Sequence, residues 1–229
     1  MCTLAAKKIN NKFFIFKSRD LDYQAKTRII RENDKVKKIL IVDERGHCEG
    51  LNEYGLGIIE ATLKPYPLVE YQDSSKIARR ILNQNNIQDA LKIMKNNRGS
   101  VNTIISDGKS AFIVEKTPYE FATTKIRDMG VIANLSVKLS RKNGPQTKSS
   151  RENTRARYLR AKELIKTVKT IKGMEKFLSD KKGYPHQSIC RGPEAVSPTR
   201  CSFIYDLENR SILFCKTSPD KGEFKKYQL

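Results

Sequence analysis

Met1-Cys2-Thr3-Leu4-Ala5-Ala6-Lys7-Lys8-Ile9-Asn10-Asn11-Lys12-Phe13-Phe14-Ile15-Phe16-Lys17-Ser18-Arg19-Asp20-Leu21-Asp22-Tyr23 opens the chain as two apolar-rich runs, 2–8 and 12–17, around paired asparagines. Asparagine tolerates left-handed turn conformations, so Ile9-Asn10-Asn11-Lys12 predicts a β-hairpin whose first strand starts at Cys2. If Met1 is removed, Cys2 carries both a thiol nucleophile and a free α-amine, whose ordinary pKa of roughly 7.7–8.0 suits a general base near neutral pH. The small cysteine side chain permits that removal. A cysteine at this position is otherwise an ordinary buried strand residue, so its meaning depends on the rest of the chain.

Outward from the hairpin, the apolar runs at 39–42 and 56–63, separated by the glycine-punctuated stretch 46–57, predict further strands. Asp73-Ser74-Ser75 offers N-caps for a helix through Ile77, Ala78, Ile81 and Leu82, and Asn86 does the same for Ile87, Ala90, Leu91 and Met94. Strands resume at 101–106 and 110–115 around the Asp107-Gly108 turn, and again at 129–137. The stretch 149–180 has a helical pattern, with Tyr158, Leu159, Leu164, Ile165, Val168, Ile171 and Phe177 set among lysine and arginine. A proline- and glycine-rich loop at 183–200 precedes a terminal hairpin, 201–205 and 211–215. The alternation of strand and helix blocks predicts a layered α+β architecture, read as a single domain over residues 1–229.

Lysine and arginine number 45 against 25 acidic residues, a formal charge of +20 spread along the chain. That excess raises an anionic substrate, nucleic acid or another acidic surface as partner, against a plain solvated surface; no nucleic-acid motif accompanies it. No signal arrangement and no membrane-length apolar run is found, which predicts a soluble, cytoplasmic protein. The five cysteines, Cys2, Cys48, Cys190, Cys201 and Cys215, show no CxxC pair, and His47 and His186 stand at no ligand spacing. That pattern argues against a zinc site and a disulfide framework, and no metal or cofactor is expected.

The chain resembles the cysteine N-terminal-nucleophile (Ntn) hydrolases, in the branch of choloylglycine hydrolase, penicillin V acylase and acyl-coenzyme A:isopenicillin N acyltransferase. Cys2-Thr3 matches the family start, and Ser18-Arg19-Asp20-Leu21-Asp22-Tyr23 is similar to its G-R-N-L/M-D segment. Glu49-Gly50-Leu51-Asn52-Glu53-Tyr54-Gly55-Leu56 resembles D-G-L/M-N-E-x-G-L. Ile132-Ala133-Asn134 stands where the family has V/I-x-T-N, and Ala156-Arg157-Tyr158-Leu159-Arg160-Ala161 resembles S-R-F/Y-x-x-A. Five short motifs recur in the family's order along nearly the whole chain.

The resemblance implies a four-layer αββα sandwich and an amidohydrolase or acyltransferase that works on a linear C–N amide through a Cys2 thioester. It implies that Asp22 orients the α-amine, that Arg19 lies beside the thiolate, that Asn134 donates to the oxyanion and that Arg157 completes the polar network. Asn52 and Thr62 are carried as oxyanion or substrate-binding candidates, Thr62 standing where bile-salt hydrolases have a second oxyanion asparagine. The family's C-R-H becomes Cys190-Arg191-Gly192, and its later G-x-P-C becomes Thr217-Ser218-Pro219-Asp220. Each position also has an ordinary reading: Arg19 and Asp22 as a surface pair, Asn52 in a turn, Asn134 at a strand end, Arg157 on a solvated helix face. The glutamine amidotransferase branch also starts at a cysteine, but its N-G-E-I-Y-N-like segment is not found. The reading from another class is a catalytically silent basic module for nucleic acid or another anion. Small-molecule amides are the expected substrates, and homo-oligomerisation is left open.

Overall fold

The computed structural model describes residues 2–22, 26–63, 74–140 and 147–229. Its first hairpin pairs β1 (Cys2–Ile9) with β2 (Lys12–Asp20), and the turn holds Asn10 and Asn11 at φ 49° and 64°. Two successive left-handed residues match the right-handed twist of the strands, which is why asparagines serve there. Side-chain direction alternates along β2. Phe13 and Ile15 enter the core between the two sheets, with Lys17 and Arg19 reaching acidic groups of the second sheet; Phe14 and Phe16 pack toward helices, and Asp20 meets a helical arginine on that side.

Sheet one runs β10-β1-β2-β11-β12-β13, with β10 (Met129–Ala133), β11 (Thr199–Asp206), β12 (Ser211–Cys215) and β13 (Lys225–Gln228). Sheet two runs β3-β4-β5-β6-β7-β8-β9, with β3 (Arg28–Asn33), β4 (Lys37–Val42), β5 (Cys48–Asn52), β6 (Gly57–Thr62), β7 (Val101–Ser106), β8 (Ala111–Lys116) and β9 (Phe121–Ile126). The strand pairings are antiparallel. Leu4, Ile15, Ile39, Leu51, Ile59, Ile104 and Phe203 fill the space between the sheets. The outer face of sheet two is covered by α1 (Ser74–Leu82) and α2 (Ile87–Asn96) through Ala78, Ile81, Ala90 and Met94. The outer face of sheet one is covered by α3 (Lys148–Leu164) and α4 (Ile171–Leu178) through Ala161, Met174, Phe177 and Leu178. The result is the four-layer αββα sandwich. No described helix is long and apolar enough to cross a membrane.

Several sequence expectations change. The helix expected over 149–180 is two helices: Val168 turns to extended backbone, and Thr170 caps α4 by accepting from Gly173 N–H. Val168 is buried among the residues that seat α3 and α4, so the break lets both helices lay an apolar face on the sheet. The strand expected over 129–137 ends at Ala133, leaving Asn134 on the loop after it. Strands β3, β9 and β13 carry half-exposed, polar-rich sequences whose alternation is weak. The proposed Asp73 cap lies outside the described residues, whereas Asn86 caps α2 as expected, accepting from Asp89 N–H at 2.9 Å.

Candidate active site

The site is built on the start of β1. Cys2 lies opposite Arg19 on β2, and Arg19 lies opposite Cys201 on β11, so all three project from the same face of sheet one toward sheet two. Cys2 is 8 % exposed. The buried Arg19 guanidinium faces Asp43 Oδ2 at 3.4 Å and Glu49 Oε1 at 3.7 Å. Burial opposes its charge, but Glu49, Cys201, Asp43 and Cys2 together hold it firmly protonated. Burial also acts against the Asp43 carboxylate, which His47 and Arg19 nevertheless hold well below the usual range. Glu49 in turn pairs with the buried Lys17 ammonium and accepts from Glu60 N–H. A fixed positive charge, itself paired with two carboxylates, therefore stands beside Cys2.

Burial pushes Cys48 and Cys201 up to about 12 and Cys190 up to about 11, and raises Cys215 as well. Arg19 pulls against this at Cys201 without overcoming it.

On the helix side of the same strand, Arg157 reaches from α3 to Cys2. Its Nη1 donates to the Cys2 carbonyl and Thr3 Oγ1, each at 3.3 Å, and lies 3.4 Å from Asp20 Oδ2. Burial lowers the Arg157 pKa, against Asp20 and Cys2. Asp20 accepts from Thr199 Oγ1 at 2.8 Å, and that hydroxyl accepts from Arg191 N–H at 2.8 Å. Burial brings Arg191 down to about 10, with Asp20 opposing and Arg157 assisting. Asp20, Thr199 and Arg191 are functional candidates that the sequence reading passed over; the Cys190-Arg191 pair, noted there only as a departure, was the available signal.

Asn134 bridges the two sheets. Its Oδ1 accepts from the Cys2 nitrogen at 2.5 Å and its Nδ2 donates to the Thr62 carbonyl at 2.8 Å. An amide N–H and a carbonyl as neighbours fix which end of the side chain is which. The loop bearing Asn134 is itself held from sheet two. Asn102 Nδ2 on β7 donates to the carbonyls of Ala133 and Leu135 at 2.5 and 2.7 Å. Beside it on β8, the Glu115 carboxylate accepts from Val137 N–H at 2.6 Å and from Lys138 N–H at 3.1 Å.

The structure thus gathers Cys2, Arg19, Asn134 and Arg157, with Thr62 contributing a backbone carbonyl. Asn52 is elsewhere: it donates to the carbonyls of Leu82 and Gln84 at the end of α1 and accepts from Tyr54 N–H and Leu56 N–H. Both donors and both lone pairs of its amide are occupied, so it closes a turn and is not available to an oxyanion. Asp22 lies exposed two residues beyond β2, and the Cys2 nitrogen bonds to Asn134. The arginines of α3 differ: Arg157 is buried, Arg160 is tied to Asp180 and Glu163, and Arg151 and Arg155 are exposed.

Two face-to-face antiparallel sheets, helices outside, and a cysteine heading an inner strand beside an arginine define an Ntn-hydrolase fold. A family model described as acyl-coenzyme A:6-aminopenicillanic acid acyl-transferase matches residues 39–221, and the chain belongs to that family. A mutant of the conjugated bile acid hydrolase from Clostridium perfringens superposes with a TM-score of 0.61 at 13% identity, over 100% of this chain and 97% of that one. The Caenorhabditis elegans N-acylethanolamine-hydrolyzing acid amidase ortholog gives a TM-score of 0.63 at 11% identity over 100% of both chains. No curated protein sequence matches the chain.

Proposed function

We propose that this protein cleaves a linear C–N amide by forming an acyl thioester on Cys2, and passes the acyl group to water or to an acceptor amine. The observation that carries this reading is the Asn134 Oδ1 contact with the Cys2 nitrogen at 2.5 Å, which fixes the prospective base beside its own thiol. With Met1 removed, that nitrogen takes the thiol proton as sulfur attacks the amide carbon, and the carbonyl oxygen becomes an oxyanion. Collapse breaks the C–N bond, and the nitrogen returns the proton to the leaving amine. A water or an acceptor amine then attacks the thioester by the same route.

Arg19 favours the thiolate, and Arg157 holds the Cys2 carbonyl so that the short arm bearing both nucleophile and base keeps one orientation. Asn134 also serves as oxyanion donor through its amide group. Asp22, two residues beyond β2, is assigned by its match to the family motif as the counter-charge to the ammonium formed during attack. The fold's resemblance to a conjugated bile acid hydrolase and an N-acylethanolamine-hydrolyzing amidase supports N-acyl amides as the substrate class.

Purified protein incubated with a panel of N-acyl amides should show an acyl-sized mass increment on Cys2 and an N-terminus lacking Met1. Cys2→Ser should lose most turnover, and Cys2→Ala all acylation; full turnover by Cys2→Ala overturns the mechanism. Asp22→Asn should lower kcat with KM within about twofold, since a group acting on the base leaves ground-state binding alone. An effect confined to KM would move Asp22 to substrate recognition.

A further inference from the structure

Asn102 and Glu115 are adjacent across β7 and β8, and both are buried on the face toward sheet one. Neither touches the nucleophile. Asn102 gives both amide hydrogens to the carbonyls on either side of Asn134, and Glu115 takes the N–H groups three and four residues past it. The loop is therefore gripped by its carbonyls at one point and by its N–H groups at the next, a pattern that fixes both its height above sheet two and its rotation. The Asn134 amide is thereby set at the Cys2 nitrogen. Asn102 Oδ1, by contrast, is buried without a hydrogen-bond partner among the described residues. An unbonded buried acceptor is costly, so an amide here serves through its two donors.

We propose that Asn102 and Glu115 are positioning residues that clamp the Asn134 loop to the second sheet, so that the spacing between the two sheets sets the geometry of the nucleophile and its base. The inference rests on the reading of Asn134 as part of the reacting site. It predicts that Asn102 acts wholly through Asn134, which a general contribution to stability would not do.

The test is a double-mutant cycle with Asn102→Asp, which keeps the shape and removes the donors, and Asn134→Ala. One readout is alkylation of Cys2 by iodoacetamide, quantified by peptide mass spectrometry across the neutral pH range. The second is turnover of an N-acyl-4-nitroanilide. Asn134→Ala should slow alkylation and lower kcat by roughly a hundredfold or more, the scale of losing one oxyanion donor. Asn102→Asp should lower kcat by at least roughly tenfold with KM within about twofold, a loss of transition-state geometry with binding intact. The double variant should be no worse than Asn134→Ala alone. Effects that multiply, or a wild-type alkylation profile in Asn102→Asp, overturn the clamp while leaving Asn134 in place. Wild-type behaviour of Asn134→Ala overturns the reading of Asn134 and the clamp with it. If Asn102→Asp shows no cooperative melt, Asn102→Ser, which keeps one donor, enters the same cycle, and the same outcomes decide.

Discussion

Asp20 and Arg157 are both fully buried and meet beneath the carbonyl of Cys2, so each is the other's main compensation for leaving water. Asp20→Asn keeps the shape but removes the carboxylate charge that faces the buried Arg157 and the nearby Arg191. The expected cost is about 3–5 kcal/mol, read as a lower denaturant midpoint with an unchanged m-value. Asn52→Ala should also destabilise, by roughly 1–3 kcal/mol for the buried groups it leaves unpaired, but with kcat per folded molecule unchanged. The contrast with Asn134 is instructive. Both asparagines sit in motif-like strings, and the sequence proposed both for the site; only the neighbours brought by other strands show that one amide ends in a turn and the other at the Cys2 nitrogen.

At the scale of elements, the Glu49-Gly50-Leu51-Asn52-Glu53-Tyr54-Gly55-Leu56 string is distinctive for backbone reasons. A Cβ on Gly50 would stand 2.3 Å from the Ile39 carbonyl oxygen on β4, and Gly55 sits at φ +80° in the turn that Asn52 closes. Gly50→Ala must push backbone against backbone in the middle of sheet two, and should abolish soluble expression or the cooperative melt. The pairing of β5 with β6 covers only Gly50–Ile58 and Leu51–Gly57; past it, Glu49 enters and accepts from Glu60 N–H. The hairpin, the Asn86 cap and the Asp107-Gly108 turn were legible because their signals are local. The break between α3 and α4 was not, because Val168 leaves the helix to satisfy a core assembled from both helices and several strands of sheet one.

At the scale of the whole molecule, two charge effects should be measurable. Glu60, half-buried on β6, has its carboxyl raised from 4.5 to about 8 by burial and then by Glu49, against Lys17 and Arg19. A carboxyl that binds its proton more tightly when folded contributes stability in full below pH 4.5 and loses it as pH rises through about 8. Glu60→Gln should therefore flatten the fall in Tm over that window. The net charge of +20, with Arg151 and Arg155 exposed on α3, should make kcat/KM for an anionic amide fall as salt is added, since screening acts over about 8 Å at physiological ionic strength. Charge reversal at both arginines should lower and flatten that dependence; an unchanged salt slope would leave them as a solvated surface.

The sequence by itself determined the starting hairpin and the strand–helix alternation behind the four layers, because turns, caps and side-chain periodicity act between near neighbours, while Cys2, Arg19, Asn134 and Arg157 were grouped by motifs that resemble the family's. Only the tertiary structure decided which carboxylate lies under Cys2, which asparagine meets its nitrogen, and that Asn102 and Glu115 hold the loop between them. Those contacts join residues on different sheets and helices, and their distances are set by packed layers whose separation no local stretch of sequence contains.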